Sequence, residues 1–535
     1  MVAYLAPALI AHVEHPLSDP SPSGVGLPPR PPFAKGLVLL QAAITLGLHV
    51  AVNARAPYGV HRDELLYLAM GRNLRLWGMD FPPAIAVVAE VSRTLLGESL
   101  VALRLLPAIF GAAIVVLAGM IARELGGGRF AQGLAAFCVL TSPLFLRAAN
   151  LLQPVVIDQL IWTALLYTFV RLSRGHGPGE WILLGLLTGL GLLTKFSIAF
   201  IALGILAAAL LSPLREARFT WWPWLGLAAA LAVGAPSLVG QIRLGFPVLA
   251  QMADLRASQL ERIGPFDFLL GQLLWGPAVV LAWAGLVGLF ASPTLRPFRP
   301  VGWCVTVAFL LLMVGQGKAY YAGPLYPTLF AAGAVLFEQA SHGLRGEVAQ
   351  AAAVAALFAF FLIVFPLGVP VLPPLEMAAY ARTLGVTAAV RTNTGEIGSL
   401  PQDFADMLGW KEQAEAVAAV YRSLPLAQRE RVVLVAGNYG EAGALDFYGP
   451  RLRLPPVVSP AGSFWFFGPG ELPGEVVITL GVPPESLRQY YDSVRTVSRI
   501  GHPWAVDEER RVPISIGTGA RTTLQQVWPS LAGRN

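Results

Sequence analysis

The stretch "WILLGLLTGLGLLTKFSIAFIALGILAAALLSP", from Trp181 to Pro213, indicates that this chain folds in a lipid bilayer. It is apolar throughout apart from one charge, Lys195, which lies near its middle. A membrane-spanning helix needs only about 20 residues, so the stretch is too long for a single span. A charge at the centre of a bilayer is costly, and that cost is avoided if two short spans meet at the membrane surface around Lys195. The stretch therefore predicts two membrane helices that join at "TKF".

The rest of the 535-residue chain has the same character, since 55% of its residues are hydrophobic, 13% are charged and the mean hydropathy is +0.61. Soluble domains carry roughly 25% charged residues. Long runs of Leu, Ala, Val and Gly without alternation favour helices over a barrel. The predicted fold class is an α-helical polytopic membrane protein with about eleven spans. These spans lie near residues 36–54, 100–122, 130–148, 156–172, 181–193, 196–212, 221–241, 268–291, 301–315, 322–340 and 348–366.

Charged residues lie mainly in the segments between these apolar runs. The net charge of +6 is spread over the loops, which argues against nucleic acid as a partner and favours membrane lipids and phosphate groups. The distribution of Lys and Arg predicts a cytoplasmic amino terminus in the plasma (inner) membrane, although several cations fall in the opposite loops. Residues 1–34 are rich in Pro and lack a cleavable signal, so they predict a disordered cytoplasmic tail. Cys138 and Cys304 fall inside predicted spans, and no disulfide is expected.

The chain changes character near its carboxyl-terminal third. "RVVLVAGNYG" (431–440) and "EVVITLGV" (475–482) are short runs of Val, Ile and Leu closed by Gly, which is typical of buried strands. "KEQAEAVAAVYRSL" (411–424) has the spacing of an amphipathic helix. These patterns predict a transmembrane domain over 35–370 and a small α/β domain over 371–535. An odd number of spans would place this α/β domain outside the cytoplasm.

The loop between the first two predicted spans, residues 55–99, is too long for a plain turn. "DELLYLAMGRNLRLWG" predicts a helix along the membrane surface, with Asp63 and Glu64 in its first turn. Acidic residues are common at that position because the helix dipole favours negative charge, so the pair could be structural. Asp80 precedes Pro82 and Pro83, separated from them by one residue, and these prolines restrict the local backbone.

Residues 58–90 resemble the first external loop of the GT-C glycosyltransferases, in particular the bacterial protein mannosyltransferase and lipid A aminoarabinose transferase group of glycosyltransferase family 39 type. The match rests on "RDELLYLAMGRNLRLWGMDFPPAIAV", an acidic pair followed by a Pro-Pro pair. Five further segments are similar to bacterial members and extend the resemblance over nearly the whole chain: "LRLLPAIFGA" (103–112), "GLGLLTKFS" (189–197), "GKAYYAGPLYPTLFAAGA" (317–334), "LPQDFADMLGW" (400–410) and "GNYGEAGALDFYG" (437–449).

The resemblance implies an inverting enzyme that moves a sugar from a polyprenyl-phosphate donor to an extracytoplasmic acceptor, which is a protein, a lipid or a polysaccharide. It implies that Asp63 is the catalytic base and that Asp80 helps to position the acceptor or to bind a metal. Lys195 and Lys318 match family lysines. The chemistry is consistent with one base, since a hydroxyl nucleophile must lose a proton while phosphate already leaves readily.

Other residues are predicted to bind the substrate on weaker grounds. Glu64 is a candidate that could instead orient its neighbours or cap the helix. Asp158 is an acid inside an apolar run, which favours a functional role, with a water-facing interfacial position as the alternative. The remaining candidates are the cations Arg62, Arg243 and Arg262 and the aromatic pair Tyr320 and Tyr321, which could bind the donor or belong to the interfacial aromatic belt.

Cofactor predictions are limited. His61 and Asp80 could hold a divalent cation together with Asp63, but the sequence contains no His-rich zinc spacing, and metal dependence stays open. The "GGG" at 126–128 lacks the setting of a dinucleotide or phosphate loop, so no nucleotide cofactor is predicted.

Two other functions are compatible with a polytopic chain. A transporter or flippase of polyprenyl-phosphate sugars would place charges near the bilayer midplane in repeated halves, and no convincing repeat is present. A receptor or scaffold would use the α/β domain for binding but would leave the acidic loop without a role.

Overall fold

The computed structural model describes residues 26–77, 79, 81–261, 263–385, 390 and 397–532. Asp80 and Arg262, both predicted substrate contacts, lie outside the described residues, as do residues 1–25 of the predicted tail. The amino-terminal helices are α1 (Lys35–Arg55), α2 (Arg62–Arg72), α3 (Ala84–Val91), α4 (Leu100–Glu124), α5 (Arg129–Thr141), α6 (Pro143–Ala148), α7 (Pro154–Arg174) and α8 (Glu180–Leu192). They continue as α9 (Ile198–Leu210), α10 (Trp222–Arg243), α11 (Pro247–Leu255), α12 (Pro265–Leu270), α13 (Ala278–Ala291), α14 (Arg299–Val314), α15 (Tyr326–Ala340) and α16 (Gly343–Gly368).

The helices that could span a membrane by length and composition differ in number from the eleven predicted spans. Within the described residues, six helices are long and apolar enough to cross a membrane: Lys35–Arg55, Leu100–Glu124, Pro154–Arg174, Trp222–Arg243, Arg296–Val314 and Gly343–Gly368. The number is up to eight if α9 with Pro213–Phe219 and Pro265–Trp275 with α13, bent by 96° and 114°, each count as one span. The count of eleven is therefore not confirmed, because several apolar runs form shorter helices. With 13 residues each, α5 and α8 reach only about 20 Å, against a hydrocarbon core of about 30 Å.

The membrane class itself is confirmed by where the apolar surface lies. Helix α16 is strongly apolar, and only a small part of it is buried against the rest of the protein. Such an apolar, outward-facing helix requires lipid around it, because soluble proteins rarely expose large apolar patches. The chain is an integral membrane protein.

The break predicted within residues 181–213 is present. Helix α8 ends at Leu192 and α9 begins at Ile198, so Lys195 lies in the short connection rather than inside a helix. Both cysteines are buried and free.

Residues 28–34 pack against the helical bundle, contrary to the prediction of a disordered tail that extends through residue 34. The Ala34 N–H donates to Gln132 Oε1 at 2.8 Å, and Arg123 Nε donates to the Pro31 carbonyl at 2.9 Å. Polar side chains at this end of α4 and α5 thus satisfy the backbone of a Pro-rich segment that cannot form its own helical bonds. The composition of the segment alone does not reveal these partners.

The carboxyl-terminal part forms the predicted α/β domain. Its strands are β1 (Val432–Ala436), β2 (Val457–Val458), β3 (Val476–Leu480), β4 (Tyr491–Ile500) and β5 (Val512–Ala520). Within the described residues the sheet has the order β2-β1-β3-β5-β4, in which β1 pairs in parallel with β2 and β3, and β5 pairs antiparallel with β3 and β4. The helices are α17 (Pro374–Leu384), α18 (Gln402–Ala405), α19 (Trp410–Ser423), α20 (Leu426–Arg429), α21 (Tyr439–Leu452), α22 (Ser463–Phe467), α23 (Pro484–Leu487) and α24 (Leu524–Val527).

Helix α21 of this domain packs directly on helix α2 of the acidic loop. At Gly443 a Cβ atom would lie 2.7 Å from Leu65 Cβ and 2.9 Å from the Leu65 carbonyl carbon. At Gly440 it would lie 2.7 Å from Arg62 Cγ. The absence of side chains at these two glycines lets the two helices approach closely, and this contact positions the site described next.

Candidate active site

A capping box fixes the start of α2. The His61 Nδ1 atom accepts a hydrogen bond from the Asp63 N–H at 3.0 Å, and Glu64 Oε2 accepts one from the His61 N–H at 2.8 Å. These bonds satisfy backbone donors that an α-helix leaves unpaired in its first turn. Asp63 is therefore held in the first turn of α2, where its side chain is half-buried.

Glu64 is part of a buried ion pair rather than a substrate contact. Arg104 donates to its two carboxylate oxygens at 2.8 Å and 2.7 Å, and both side chains are fully buried. The Leu152 N–H donates to the same carboxylate at 2.8 Å. Burial alone would raise the pKa of Glu64, but Arg104 and the backbone donors outweigh burial and hold that pKa below its ordinary value. These contacts are the ones that the alternative role of Glu64, capping the helix and orienting its neighbours, would require, and substrate binding by Glu64 stays a prediction.

Asp63 is held by two donors from distant parts of the chain. The Tyr439 hydroxyl donates to Oδ1 and Gln153 Nε2 donates to Oδ2, each at 3.0 Å. Tyr439 is the first residue of α21, and Gln153 directly precedes α7. A carboxylate oxygen can accept two hydrogen bonds, so each oxygen keeps capacity for an incoming hydroxyl. Neither partner was identified from the sequence, although Tyr439 lies within the quoted "GNYGEAGALDFYG".

Arg62 connects helix α2 to the α/β domain, and its predicted contact with the donor stays a prediction. Its Nη1 atom donates to Glu508 at 2.7 Å, and its Nε atom lies 3.4 Å from Asp406 Oδ1. Its guanidinium also lies over the Tyr439 ring, 5.4 Å from the centroid. These contacts engage Arg62 in holding α21 and its neighbours against α2.

Two further carboxylates lie behind His61, in the segment "LPQDFADMLGW". Burial raises the pKa of Asp406 to about 6, although the charge of Arg62 acts in the opposite direction. Burial would also raise the pKa of Asp403, but there the ion pair with Arg147 outweighs burial and lowers that pKa. Neither acid was predicted as a site residue, because nothing in its local spacing points to α2.

His61, Asp403 and Asp406 are close enough to hold a cation, since their ligand atoms all lie within 4.8 Å of one another. This cluster differs from the predicted set, which combined His61 with Asp80. Its hydrogen bonds oppose metal binding. Because His61 Nδ1 accepts the Asp63 N–H, the proton of a neutral ring must lie on Nε2, which then has no lone pair for a metal. Asp403 Oδ2 already accepts from Arg147.

Two of the predicted cations, Lys195 and Lys318, form a second group with the two predicted tyrosines near the start of α7. Lys195 Nζ lies 4.7 Å from the centroid of the Tyr321 ring, which stacks edge-on with Tyr320 at 4.7 Å. Lys318 Nζ donates to Gln259 Oε1 at 2.6 Å. Burial and the nearby Lys195 lower the pKa of Lys318, against the attraction of Asp403. The interactions of Lys318 with both Lys195 and Asp403 connect this group to the carboxylates behind His61.

Asp158 lies in the second turn of α7 and is 6% exposed, which opposes the alternative of a water-facing residue. The Ser197 hydroxyl lies 3.0 Å and 3.1 Å from its two carboxylate oxygens. The positive charge of Lys195 acts on the same carboxylate. Asp158 thus organises the connection between α8 and α9.

The other predicted cation, Arg243, is the last residue of α10 and is exposed.

The sequence and the structure of this chain are similar to those of known proteins. A family model described as dolichyl-phosphate-mannose-protein mannosyltransferase matches residues 80–239. ArnT from Cupriavidus metallidurans in the apo state superposes with a TM-score of 0.60 at 16% identity, over 94% of this chain and 100% of that one. The same protein bound to undecaprenyl phosphate gives a TM-score of 0.58 at 16% identity, over 90% and 98%. The chain has the fold of the GT-C glycosyltransferases.

A third GT-C structure is more distant. The Archaeoglobus fulgidus oligosaccharyltransferase in complex with Zn and sulfate matches with a TM-score of 0.51 at 14% identity, over 83% of this chain and 67% of that one. No curated protein sequence matches this chain. The family model begins at residue 80, so within this GT-C chain it covers Asp158 and Lys195 but not Asp63. The position of Asp63 therefore rests on the geometry described above.

Proposed function

We propose that this chain is an inverting glycosyltransferase that takes a sugar from a polyprenyl-phosphate donor and transfers it to an extracytoplasmic acceptor. The observation that carries the proposal is the Asp63 carboxylate, which two donors at 3.0 Å hold in place while it stays half-buried and able to accept a further hydrogen bond. Such a fixed carboxylate suits a general base. The similarity to ArnT bound to undecaprenyl phosphate supports a lipid-phosphate donor.

The proposed reaction is a single displacement. The acceptor oxygen attacks the anomeric carbon, Asp63 takes the hydroxyl proton, and the bond between that carbon and the phosphate oxygen breaks with its electron pair on the phosphate. Attack from the face opposite the leaving group inverts the anomeric configuration. Only one carboxylate has to act, in contrast to glycosidases, which use two.

Lys195 and Lys318 are proposed to bind the donor phosphate and to stabilise the charge that it gains. They lie close enough to influence each other, and Lys318 is half-buried, so mutual repulsion would be relieved when an anion lies between them. Tyr320 and Tyr321 stand beside Lys195 and are proposed to contact the sugar or the prenyl chain.

The orientation is also a proposal. Lys and Arg in the loops favour a cytoplasmic amino terminus, with the acidic loop and the α/β domain over residues 371–532 on the extracytoplasmic side. The contact between α2 and α21 supports placing these two parts on the same side of the membrane, because Gly443 touches Leu65 directly.

A transfer assay tests the proposal. Purified protein in lipid nanodiscs would be given synthetic polyprenyl-phosphate hexoses and pentoses with lipid, peptide and glycan acceptors, and the products would be analysed by mass spectrometry and NMR. We expect acceptor-dependent release of polyprenyl phosphate and an inverted anomeric centre. Asp492→Asn, which changes an exposed acid on β4, is a matched control and keeps full activity. Movement of intact donor across the bilayer without cleavage would instead favour a flippase.

A further inference from the structure

We propose that the α/β domain completes the active site, with Tyr439 as the residue that positions the Asp63 carboxylate. This inference rests on the proposed function and assigns the domain a role in the reaction itself. It follows from the contact between the Tyr439 hydroxyl and Asp63 Oδ1 at 3.0 Å, which joins residues that are 376 positions apart in the chain.

The Tyr439 hydroxyl is a dependable donor. Burial and the adjacent Asp63 carboxylate raise the pKa of Tyr439 well above its ordinary value, so the hydroxyl keeps its proton at neutral pH. The Arg62 guanidinium lies over the Tyr439 ring, 5.4 Å from its centroid. The hydroxyl can therefore direct one oxygen of the base while Gln153 directs the other.

The contact is built by a whole helix face and not by one side chain. Tyr439, Gly443 and Asp446 are spaced four and three residues apart and so lie on one side of α21. Gly443 meets Leu65, and Arg72 Nη1 donates to the Asp446 carbonyl at 2.7 Å and to its carboxylate at 3.2 Å. Three successive contacts along α2 therefore fix where the first residue of α21 stands.

Loops of the α/β domain support the start of α21 from behind. Asn438 caps the helix through its contact with the Glu441 N–H at 2.9 Å, and its side chain donates to Glu509 at 2.8 Å. The adjacent Glu508 accepts from Arg62. Glu508 and Glu509 are adjacent, so one short segment of the α/β domain holds both the helix that carries Tyr439 and the arginine next to Asp63. The orientation of the Asp63 carboxylate therefore depends on how this domain packs.

The reason a second donor matters is the torsion of the carboxylate. The last torsion of an Asp side chain has a broad, roughly two-fold energy profile, so one hydrogen bond alone leaves the group free to rotate. Proton abstraction needs an oxygen within about 2.6–3.2 Å of the acceptor hydroxyl. Loss of the Tyr439 donor would lower the fraction of time spent in that geometry without changing how the donor lipid binds.

Tyr439→Phe tests the inference, because it removes the hydroxyl and keeps the ring under Arg62. We expect kcat to fall about 10- to 100-fold with the donor KM unchanged, as removal of a positioning contact does. Tyr448→Phe, on the same helix, is the matched control and keeps its kcat. In an Asp63→Asn background, Tyr439→Phe should cause no further loss, since the group it positions is absent.

The outcomes separate the two claims. A normal kcat in Tyr439→Phe, or an equal loss on the Asp63→Asn background, would overturn the positioning role and leave the proposed function standing. Full turnover in Asp63→Asn would overturn the proposed function itself. Thermal unfolding of each variant, measured in the same nanodiscs, completes the test: a loss of kcat that is matched by unfolding at the assay temperature contradicts a positioning role.

Discussion

The Glu64 carboxylate and the Arg104 guanidinium form a two-pronged ion pair that is completely buried, with Nε and Nη2 at 2.8 Å and 2.7 Å from the two oxygens. Arg104 also donates to the Asn53 side chain at 3.0 Å and to the Gly59 carbonyl at 3.2 Å. The pair therefore joins α1, α2 and α4 underneath the residue proposed as the base.

Glu64→Gln should destabilise the protein strongly, because it leaves the Arg104 charge buried without a counter-charge. Removal of one partner of a buried ion pair costs about 3–5 kcal/mol. Thermal unfolding in detergent measures this loss, and Glu475→Gln, which breaks an exposed pair with Arg431, should change stability by no more than about 1 kcal/mol. Equal, small effects of the two substitutions would contradict the structural role of Glu64.

Asp406→Asn should change how stability depends on pH. The pKa of Asp406 is raised to about 6 from an ordinary value of 3.8, so the folded state gains a proton first as pH falls. The folded wild type should therefore gain about 1 kcal/mol from this group between pH 7 and pH 5, and this gain should disappear in the variant. The groups that face Asp406 are Arg62, His61, Asp63 and Asp403, and all are present in both proteins. Parallel curves of unfolding free energy against pH for wild type and variant would contradict the raised pKa.

Chelation should leave transfer activity intact. In the donor set of His61, Asp403 and Asp406, the His61 Nδ1 atom already accepts a backbone hydrogen bond, which places the ring proton on the nitrogen that a metal would need. Turnover after extensive EDTA treatment, together with the metal content of the purified protein, checks this. Stoichiometric bound metal whose removal abolishes turnover would show that the cluster rearranges to bind a cation.

Gly443→Ala should impair catalysis through the docking of α21 on α2. The added Cβ atom would lie within 3 Å of both the Cβ atom and the carbonyl carbon of Leu65, and backbone atoms cannot move aside easily. We expect kcat to fall at least fivefold while the donor KM stays the same. Gly449→Ala on the same helix is the matched control, since its Cβ would meet nothing closer than 3.4 Å. Wild-type kcat in Gly443→Ala would show that tight docking of the two helices is dispensable.

Local patterns predicted the features of this chain that depend on local physics. The break at Lys195 followed from the length of the apolar run and the cost of a buried charge. The position of Asp63 in the first turn of a helix followed from spacing alone. The number of spans did not follow from local patterns. Whether a short helix such as α5 or α8 crosses the membrane depends on its neighbours rather than on its own composition.

The different roles of Asp63 and Glu64 could not be predicted from the residues next to them in the sequence. The two acids are adjacent in sequence, and only Arg104, 40 positions away, decides that Glu64 is buried and paired. The two residues that donate hydrogen bonds to Asp63, Tyr439 and Gln153, are even farther away along the chain. A resemblance can mark such residues as belonging to a motif, but their roles depend on contacts that form only when the domains pack.

The central claim is that Asp63 removes the acceptor proton, and single-turnover kinetics tests it most directly. Enzyme in excess would be mixed with donor and acceptor, and the rate of polyprenyl phosphate release would be compared between wild type and Asp63→Asn, with donor affinity measured separately. Loss of a general base lowers the rate by about 10²- to 10⁴-fold, so we predict a fall in that range with donor affinity unchanged. A rate within threefold of wild type in the variant would contradict the account.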